Sequence, residues 1–552
     1  MPVITLDRDR FSELLGRSVG VEEMVKWLPW LGVDIEEVGK DYVKVEFNPN
    51  RIDFSSPAGL ARAFRGMMSW EVGLPKYELA QGGSVLKVDP STREVRPYVV
   101  GAIVRNIKLT DTLLQEIIEL QEDLHWGLGR NRRKVAIGIH DLDRVVSPFA
   151  YVTAAEDLKF CPLGGDGEMS IEEILREHEK GKIFGGILSK SRRYPLIVDG
   201  LNRVMSFPPI INSELTRVTV RTKNLFVDIT GTDLGAVNMG LNVLTTSLYD
   251  MGCGIETVKV IYEDGTLITP NLEPRRKELR TSYARDLLGL ELSDEDIAEA
   301  LRRCRLGAEI VGGGRVEASI PPYRADVMHE VDLVEEVLVG YGCYKVRPEV
   351  PPTTTMGNPH YASSIAGVIR QIMVGLGFTE VVNFTLTNKS NHYDKMGISD
   401  GRALSLANPI SSEYSIIRES LLPGLIENLV TNKRETLPQR LFEVSDVVKV
   451  DGRRETMSRR ILSVAGVASH RSASFTEVRT YVEALLEELG VKGWKMRRGH
   501  EKSFLPGRVA ILTLRGRGVG ILGEVHPQVL NNFDLENPVC GFEIDVDFLL
   551  GF

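Results

Sequence analysis

Acidic side chains crowd one helix-like stretch, residues 324–341, and they are of the type that holds a hard metal ion. At about 100° per residue, Glu335 and Glu336 lie within about 60° on either side of Asp332, so three carboxylates project together. Asp326 can join them from the segment before the helix. Oxygen ligands alone favour an ion such as Mg²⁺, which takes one or two carboxylates and completes its shell with water or other groups. The helix is indicated by apolar residues at three- and four-residue steps, namely Val334, Val337, Leu338 and Tyr341.

The same stretch has a simpler interpretation. Acidic residues in the first turn of a helix complement the helix dipole and commonly face water. Residue types alone therefore leave two possibilities open, a metal site and a solvated helix start.

A second candidate site lies on the strand predicted for residues 224–231. Strict alternation puts Phe226, Asp228 and Thr230 on one face of this strand, opposite three apolar residues. A ring, a carboxylate and a hydroxyl on one face can line a pocket that recognises an amphipathic side chain. The alternative is a half-buried strand whose polar face meets water.

Another strand is predicted for residues 134–140, and it ends in the run His140-Asp-Leu-Asp143. This run resembles a metal triad, but the turn chemistry of a strand end is the favoured interpretation. The sequence shows no Ser-His-Asp or Cys-His arrangement that would supply a protein nucleophile. Any hydrolysis on this chain is therefore expected to use water.

Composition describes an ordinary globular protein of several domains. The chain has 552 residues, 43% of them hydrophobic and 26% charged, which suggests roughly three to five domains. It lacks a signal-peptide pattern at the start and any apolar run of bilayer length, so we expect no membrane association. The cysteines are far apart and form no Cys-x-x-Cys pair, which suits the cytoplasm; they are Cys161, Cys253, Cys304, Cys343 and Cys540.

The net charge of −9 argues against binding nucleic acid through a global positive field. RNA contacts would need local basic patches or a partner. Three candidate patches are residues 130–134, 275–277 and 497–498, and each of them is also typical of a solvated surface cluster.

Linker-like stretches at residues 80–84, 263–274 and 348–359 predict domains at 1–84, 85–270, 271–348 and 349–552. In the third domain, Ser293 can cap a helix, and strands at 308–311 and 316–320 are joined by a triple-glycine turn. The last domain is expected to have a helix at 365–376 and strands at 381–386, 440–450 and 509–514.

Residues 280–346 resemble one module of the beta subunit of phenylalanine–tRNA ligase. The resemblance is carried by residues 321–326, by Asp-Leu-Val-Glu-Glu at 332–336 and by Tyr-Gly at 341–342. It implies that Mg²⁺ is bound jointly with the alpha subunit, through Asp326, Asp332, Glu335 and Glu336.

Residues 128–243 resemble the editing domain of archaeal and eukaryotic-type beta subunits, through the runs 136–143, 206–214 and 227–233. The resemblance implies an editing pocket formed by Asp228, Thr230, Ser206 and Leu196. Such a pocket is useful because a site shaped for phenylalanine rejects tyrosine poorly. Asp228 is the natural acceptor for the tyrosine hydroxyl, since a carboxylate accepts strong hydrogen bonds.

The last domain resembles a class II synthetase core without its catalytic residues: the run 518–526, in the place of an ATP-binding strand, has no arginine. The expected fold class is therefore α+β and multidomain, with an N-terminal α/β domain, a mixed α/β editing domain, a small helix-plus-hairpin module and a class II-like antiparallel sheet domain.

The resemblance spans the chain and is to the short archaeal type, without an inserted tRNA-binding barrel or a C-terminal anticodon-binding domain. It implies an alpha2-beta2 heterotetramer that uses ATP to join phenylalanine to tRNA-Phe on the alpha subunit. This chain would act as scaffold, tRNA platform and proofreader of tyrosyl-tRNA-Phe. Two alternatives stay open: a structural subunit with an inactive editing pocket, and a free-standing RNA-binding deacylase.

Overall fold

The computed structural model describes residues 2–351, 353, 355–399 and 401–550. The chain divides into two compact units, Met1–Val350 and Pro351–Phe552. Both units mix helices and sheets, which confirms the mixed α/β, multidomain class. Within the described residues, every helix is too short or too polar to cross a bilayer.

The first part of unit one is a small sheet covered by helices. Its strands are antiparallel in the order β1-β3-β2, with Phe11 and Phe64 among the buried residues. Ser56 caps α3 by accepting a hydrogen bond from the Gly59 N–H at 3.1 Å, and Pro57 is the first helical residue. The elements are β1 (Val3–Asp7), α1 (Arg8–Leu15), α2 (Val21–Trp27), β2 (Val33–Val38), β3 (Tyr42–Phe47) and α3 (Pro57–Met67).

The middle of unit one is built on an 11-stranded sheet. Its elements are β4 (Leu79–Ala80), β5 (Val85–Val88), β6 (Tyr98–Arg105), α4 (Asp111–Trp126), β7 (Val135–Asp141), β8 (Phe149–Ala154), β9 (Lys159–Phe160), β10 (Met169–Ser170), α5 (Ile171–Glu177), α6 (Glu179–Phe184), β11 (Tyr194–Val198), β12 (Val204–Phe207), β13 (Ile211–Asn212), β14 (Leu225–Gly231), α7 (Leu234–Asp250), β15 (Gly254–Tyr262) and β16 (Gly265–Thr269).

Strands β6, β14 and β7 form one end of this sheet, and β14 carries the candidate residues Asp228 and Thr230. The path runs β13-β12-β11-β8-β5-β15-β6-β14-β7, with β4 and β16 also paired to β15. Leu225, Val227 and Ile229 pack in one core with α4 and α7, whereas Phe226 packs against Phe149 in another. The alternation predicted for residues 224–231 is confirmed.

The end of unit one is a three-stranded antiparallel sheet in the order β17-β19-β18, packed with three helices. Ser293 caps α9 through a capping box with Asp296, and the predicted hairpin is present with a one-residue shift in its first strand. Residues 312–314 all have positive φ, between 62° and 82°, which only glycine adopts readily. The elements are β17 (Arg275–Arg280), α8 (Thr281–Leu288), α9 (Asp294–Arg303), β18 (Gly307–Ile310), β19 (Arg315–Ile320) and α10 (Glu330–Tyr341).

Unit two is a seven-stranded sheet in the order β20-β23-β24-β28-β27-β26-β25, antiparallel except for β20 with β23. Its elements are α11 (Tyr361–Gly375), β20 (Thr379–Glu380), β21 (Leu386–Thr387), β22 (Ile416–Ile417), α12 (Leu422–Thr431), β23 (Gln439–Val450), β24 (Ser458–Ser469), α13 (Phe475–Glu488), β25 (Trp494–Arg498), β26 (Phe504–Leu514), β27 (Arg517–Val525), α14 (Pro527–Asn532), β28 (Val539–Asp545) and α15 (Val546–Leu550).

Two of the predicted strands in unit two, at 440–450 and 509–514, are confirmed, and so is the helix at 365–376. The strand predicted at 381–386 is wrong, because only its last residue, Leu386, belongs to a strand. The chain leaves the sheet at Asn383, whose side-chain amide donates to the buried Glu443 carboxylate at 2.8 Å. Val382 and Phe384 are consequently exposed, by 84% and 77%.

Candidate functional site

A cavity of about 620 Å³ opens beside strands β7 and β14. Helix α4 forms one wall, and the segment around β12 and β13 forms another. Much of the surface is apolar, with Ile117 from α4 and Ile137, Ile139 and Leu225 from the strands. The polar groups in the wall include Asp228, Ser206 and Thr216. A cavity with an apolar surface and a few polar groups is typical of a small-ligand site.

Asp228 is the buried carboxylate of this cavity, with 1% of the residue exposed. Its Oδ1 lies 2.6 Å from His140 Nε2, and because an ionised carboxylate only accepts, the imidazole donates. Among the described residues, no donor reaches Oδ2 of Asp228 within hydrogen-bond distance. Gly138 stands opposite Asp228 on β7, and a Cβ there would lie 2.4 Å from Oδ1. The Asp228 carboxylate and the His140 ring fill the space over Gly138, so a side chain at this position would displace them.

The other ring nitrogen of His140 lies 2.8 Å from the Thr216 hydroxyl. That hydroxyl also reaches the backbone carbonyl oxygens of Ser213 and Met205, at 3.2 and 3.3 Å. The structure thus contains a row of hydroxyl, imidazole and carboxylate, formed by Thr216, His140 and Asp228, that the sequence did not reveal. The residues are distant in sequence and meet only through the sheet. Thr216 is itself buried and held by carbonyls, so it is poorly placed to act as a nucleophile.

Asp141, the residue after His140, makes the predicted strand-end turn. Its side chain accepts from the Asp143 N–H at 3.1 Å and from the Thr222 hydroxyl at 2.7 Å. The turn interpretation of residues 140–143 is therefore confirmed for Asp141, whereas His140 points to the neighbouring strand instead.

The other three residues of the expected pocket have different surroundings. Ser206 is in the cavity wall and donates to Asn212 Oδ1 at 3.2 Å. Thr230 is fully buried and accepts from Arg96 Nε at 2.9 Å, and burial lowers the pKa of Arg96 to about 10. Leu196 lies in the apolar core between β11 and α5. The structure therefore brings Asp228 and Ser206 to the cavity surface, and places Thr230 and Leu196 outside its described lining.

A charged cluster forms part of the cavity wall on the side of α4. Arg132 Nη2 donates to Glu122 Oε1 at 2.7 Å, and Nη1 donates to the Ile210 carbonyl at 3.1 Å. A hydrogen bond with His125 and the charge of Arg132 lower the pKa of Glu122 to about 2. Burial lowers the pKa of His125, whose Nε2 accepts from the Ile137 N–H at 2.8 Å. This wall therefore holds a fixed ion pair beside a neutral imidazole.

The candidate basic patches differ in accessibility. Arg132 is buried in the cavity wall, while its neighbours Arg130 and Arg133 are exposed. Arg275 is tied to the backbone, because its Nη2 donates to the Arg324 carbonyl at 2.8 Å. Residues 497–498 end strand β25 and are exposed.

The acidic cluster of residues 326–336 is organised by one buried cation, Arg324. Its guanidinium donates to both oxygens of Asp326, at 2.8 and 2.6 Å, and to both oxygens of Glu336, at 2.9 and 2.6 Å. Asp332 instead caps α10, and its Oδ2 accepts from the Met328 N–H at 2.7 Å. This role of Arg324 was not predicted from the sequence, although its position two residues before Asp326 is a usable signal.

Glu335 is the exposed member of the acidic cluster. Partial burial, followed by the charges of Glu336, Asp326 and Asp332, raises the pKa of its carboxyl group. The described residues include no group of three or more His, Cys, Asp or Glu side chains arranged to hold a metal. The donor types fit a hard cation, but three of the four carboxylates already accept hydrogen bonds from the protein, and Glu335 is the one without a protein donor among the described residues.

Comparisons with known proteins identify the modules around these sites. Residues 277–343 match the tRNA synthetase B5 domain, and residues 347–546 match the phenylalanyl tRNA synthetase beta chain CLM domain. The chain is 44% identical over 549 residues to the phenylalanine–tRNA ligase beta subunit of Archaeoglobus fulgidus, covering 99% of this chain and 98% of the relative. It is 40% identical to that of Pyrococcus furiosus, covering 99% of each chain.

A solved structure supports the same relationship for unit one. An N-terminal fragment of the phenylalanyl-tRNA synthetase beta subunit from Pyrococcus horikoshii superimposes with a TM-score of 0.60 at 40% identity. The match covers 62% of this chain and 99% of that fragment.

The two modules and the relatives define a subunit of an aminoacyl-tRNA ligase. More narrowly, the chain belongs to the family of phenylalanine–tRNA ligase beta subunits.

Proposed function

We propose that this chain joins an alpha subunit in an alpha2-beta2 heterotetramer, which uses ATP to attach phenylalanine to tRNA-Phe. In this assembly the alpha subunit carries the aminoacylation site, and this chain is scaffold and tRNA platform in the cytoplasm. The relatives are named as beta subunits, which implies a partner. Exposed apolar side chains in unit two, Val382, Phe384 and Ile410, support an interface with another chain.

Unit two is proposed to be a class II synthetase-like domain that does not itself use ATP. The contacts of Arg418 support this assignment, because its guanidinium is fully engaged inside the protein. Its Nη1 lies 2.8 Å from the Glu443 carboxylate, and Nη2 donates to the Ser445 hydroxyl at 2.8 Å. A side chain held this way is not available to bind a triphosphate.

We further propose that the cavity beside β14 hydrolyses tyrosyl-tRNA-Phe, with Asp228 as the residue that recognises the error. The observation that carries this proposal is Asp228 Oδ2, a carboxylate oxygen in a largely apolar cavity that has no donor within the part of the chain that the structure describes. The hydroxyl of a tyrosyl group can donate to this oxygen, whereas a phenylalanyl group would bury it without a donor. Ser206 lies in the same wall, and Thr230 and Leu196 would support the pocket from behind it.

Water is the proposed attacking group. The water oxygen bonds to the ester carbonyl carbon, and the bond from that carbon to the ribose oxygen breaks. One proton of the water passes to the ribose oxygen, so that free tyrosine and the tRNA terminal hydroxyl are the products. Stabilising the developing oxyanion requires donors fixed in advance, and backbone N–H groups and the tRNA's own hydroxyl can supply them.

The test is deacylation of tyrosyl-tRNA-Phe by the purified alpha–beta complex. The Asp228→Asn and Asp228→Ala complexes should clear it at least about 10-fold more slowly than wild type, because a charged hydrogen bond to substrate is lost. The control is Asp143→Asn, which changes an acid in the turn after β7, outside the described cavity lining. Equal clearance by wild type and both Asp228 variants would instead identify a structural subunit with an inactive pocket.

The acidic cluster is proposed to hold Mg²⁺ together with the alpha subunit, through Glu335 first and through free lone pairs of Asp326, Asp332 and Glu336. Metal analysis of the dialysed complex should show less bound Mg²⁺ for Glu335→Gln than for wild type. Glu330→Gln is the matched control, because Glu330 is an acid of the same helix that is paired with Arg280. Unchanged Mg²⁺ content in Glu335→Gln would remove this residue from the site.

A further inference from the structure

His140 is fully buried next to Asp228, the proposed recognition residue. Its ring is held by contacts at both nitrogens and on one face. Strands β7 and β14 pair so that Gly138 is opposite Asp228 and His140 is opposite Phe226. His140 and Asp228 are therefore diagonal neighbours on one face of the sheet, within reach of a long side chain. The imidazole stacks on Phe226 with ring centres 6.0 Å apart, and Phe226 stacks on Phe149 at 4.3 Å.

The donors and acceptors around His140 indicate which atom carries the proton between His140 and Asp228. A carboxylate has no proton to give, so Nε2 carries the hydrogen in the 2.6 Å contact. The Thr216 hydroxyl can donate to Nδ1, or it can accept from Nδ1 and donate to the Ser213 carbonyl at 3.2 Å. The imidazole therefore keeps its donor toward Asp228 whether it is neutral or charged.

We infer that His140 sets the selectivity of the pocket by fixing the Asp228 carboxylate, so that Oδ1 is occupied and Oδ2 alone is offered to the ligand. This inference rests on the proposed editing function. A carboxylate free to rotate could turn toward other donors or hold water in place of the substrate hydroxyl. His140 is outside the described cavity lining and acts through Asp228, so it is a positioning residue rather than a catalytic one.

Two substitutions separate positioning from packing. His140→Leu fills much of the same space with an apolar side chain and removes the N–H donor. His140→Gln replaces the imidazole with an amide, whose N–H can reach Asp228 and whose oxygen can face Thr216. The alpha–beta complex of each is assayed for hydrolysis of tyrosyl- and phenylalanyl-tRNA-Phe, with kcat and KM determined separately.

For His140→Leu, the ratio of kcat/KM for tyrosyl- over phenylalanyl-tRNA should fall about 10-fold or more, mainly because KM for tyrosyl-tRNA rises. His140→Gln should recover most of that ratio. If both variants keep the wild-type ratio, or lose it equally, His140 does not position Asp228 and the inference is overturned.

Asp228→Asn distinguishes failure of this inference from failure of the proposed editing function on which it rests. If Asp228→Asn also keeps the wild-type ratio, the editing function assigned to this cavity fails. If it loses the ratio while His140→Leu keeps it, only the role of His140 fails. If His140→Leu does not assemble with alpha, Thr216→Val is tested in its place, because it removes the hydroxyl that holds His140 Nδ1. The ratio of kcat/KM for tyrosyl- over phenylalanyl-tRNA should then fall several-fold. An unchanged ratio contradicts the inference.

Discussion

Two nitrogens of the Arg324 guanidinium donate hydrogen bonds to the Glu336 carboxylate, at 2.9 and 2.6 Å, and both residues are buried. A second carboxylate, from Asp326, takes the remaining edge of the same guanidinium. Burial opposes the charge on Arg324, but these two carboxylates outweigh it and raise its pKa well above the ordinary value. The middle of α10 is thereby joined to the segment that follows β19.

Removing the buried cation should destabilise this module strongly. In Arg324→Met, Asp326 and Glu336 would lose the one cation that contacts both of them, which costs about 3–5 kcal/mol. Faster hydrogen exchange of the α10 amides in the native complex measures this local loss. The control is Arg280→Met, which breaks the exposed pair with Glu330 and should destabilise the module far less, because a solvated ion pair contributes little. Equal effects in the two variants would show that burial of the pair is unimportant.

A methyl group at position 138 should disturb the His140–Asp228 pair without removing either partner. The added Cβ would lie 2.4 Å from Asp228 Oδ1 and 2.7 Å from His140 Nε2, so Gly138→Ala should destabilise the domain by about 1–3 kcal/mol. It should also slow clearance of tyrosyl-tRNA. Gly186→Ala is the matched control in the same domain, because its Cβ would meet nothing within 4 Å. A Gly138→Ala complex as stable and as active as the control would contradict the described geometry.

His392 should make unit two less stable in mild acid. Burial, followed by the charge of Arg418, lowers the pKa of its imidazole to about 4, and its Nε2 accepts from the Glu419 N–H at 3.0 Å. The unfolded chain takes up this proton near pH 6.5, so protonation favours unfolding between about pH 6.5 and pH 4. The free energy of unfolding should therefore be highest above that window and lose about 3 kcal/mol across it.

Urea unfolding of the chain at a series of pH values, followed by a probe in unit two, measures this dependence. His392→Gln should flatten the slope between pH 6.5 and pH 4, while His500→Gln, at an exposed position, should leave it in place. A slope that survives His392→Gln would assign the acid sensitivity to other groups.

The exposed ring of Phe384 should contribute to binding the alpha subunit. It stands at the surface with Tyr414, with ring centres 5.8 Å apart. Phe384→Asp should weaken association with alpha by about 10-fold or more, because buried aromatic anchors dominate interface energies. Met457→Asp, which also replaces an exposed apolar residue of unit two, should change the affinity little. Binding measured by surface-immobilised alpha distinguishes the two, and equal affinities would exclude Phe384 from the interface.

Local patterns were enough to predict most of the secondary structure around the sites. The alternation in β14 placed Asp228 on the face opposite Val227, and Ser293 marked the first turn of α9. Both signals act within a few residues, so they can be read from a single segment. The strand expected at 381–386 failed because an apolar alternation does not reveal whether a neighbouring strand is present to pair with it.

The partners of the site residues could not be predicted in the same way. His140 and Asp228 are 88 positions apart, and only the register of β7 with β14 makes them neighbours. Arg96 reaches Thr230 across 134 positions. A single sequence does not specify which strands pair or in what register, so the contact of Arg96 with Thr230 and the imidazole behind the cavity emerged only from the fold.

The cavity draws its surface from α4, β7, the start of α6, the turn around Pro208 and finally β14. Its wall therefore spans the chain from Leu114 to Asp228, and no shorter part encloses the space. During synthesis, the pocket remains unformed until β14 has emerged from the ribosome and joined β7. A nascent or prematurely terminated chain thus lacks the enclosed space that the proposed hydrolysis requires.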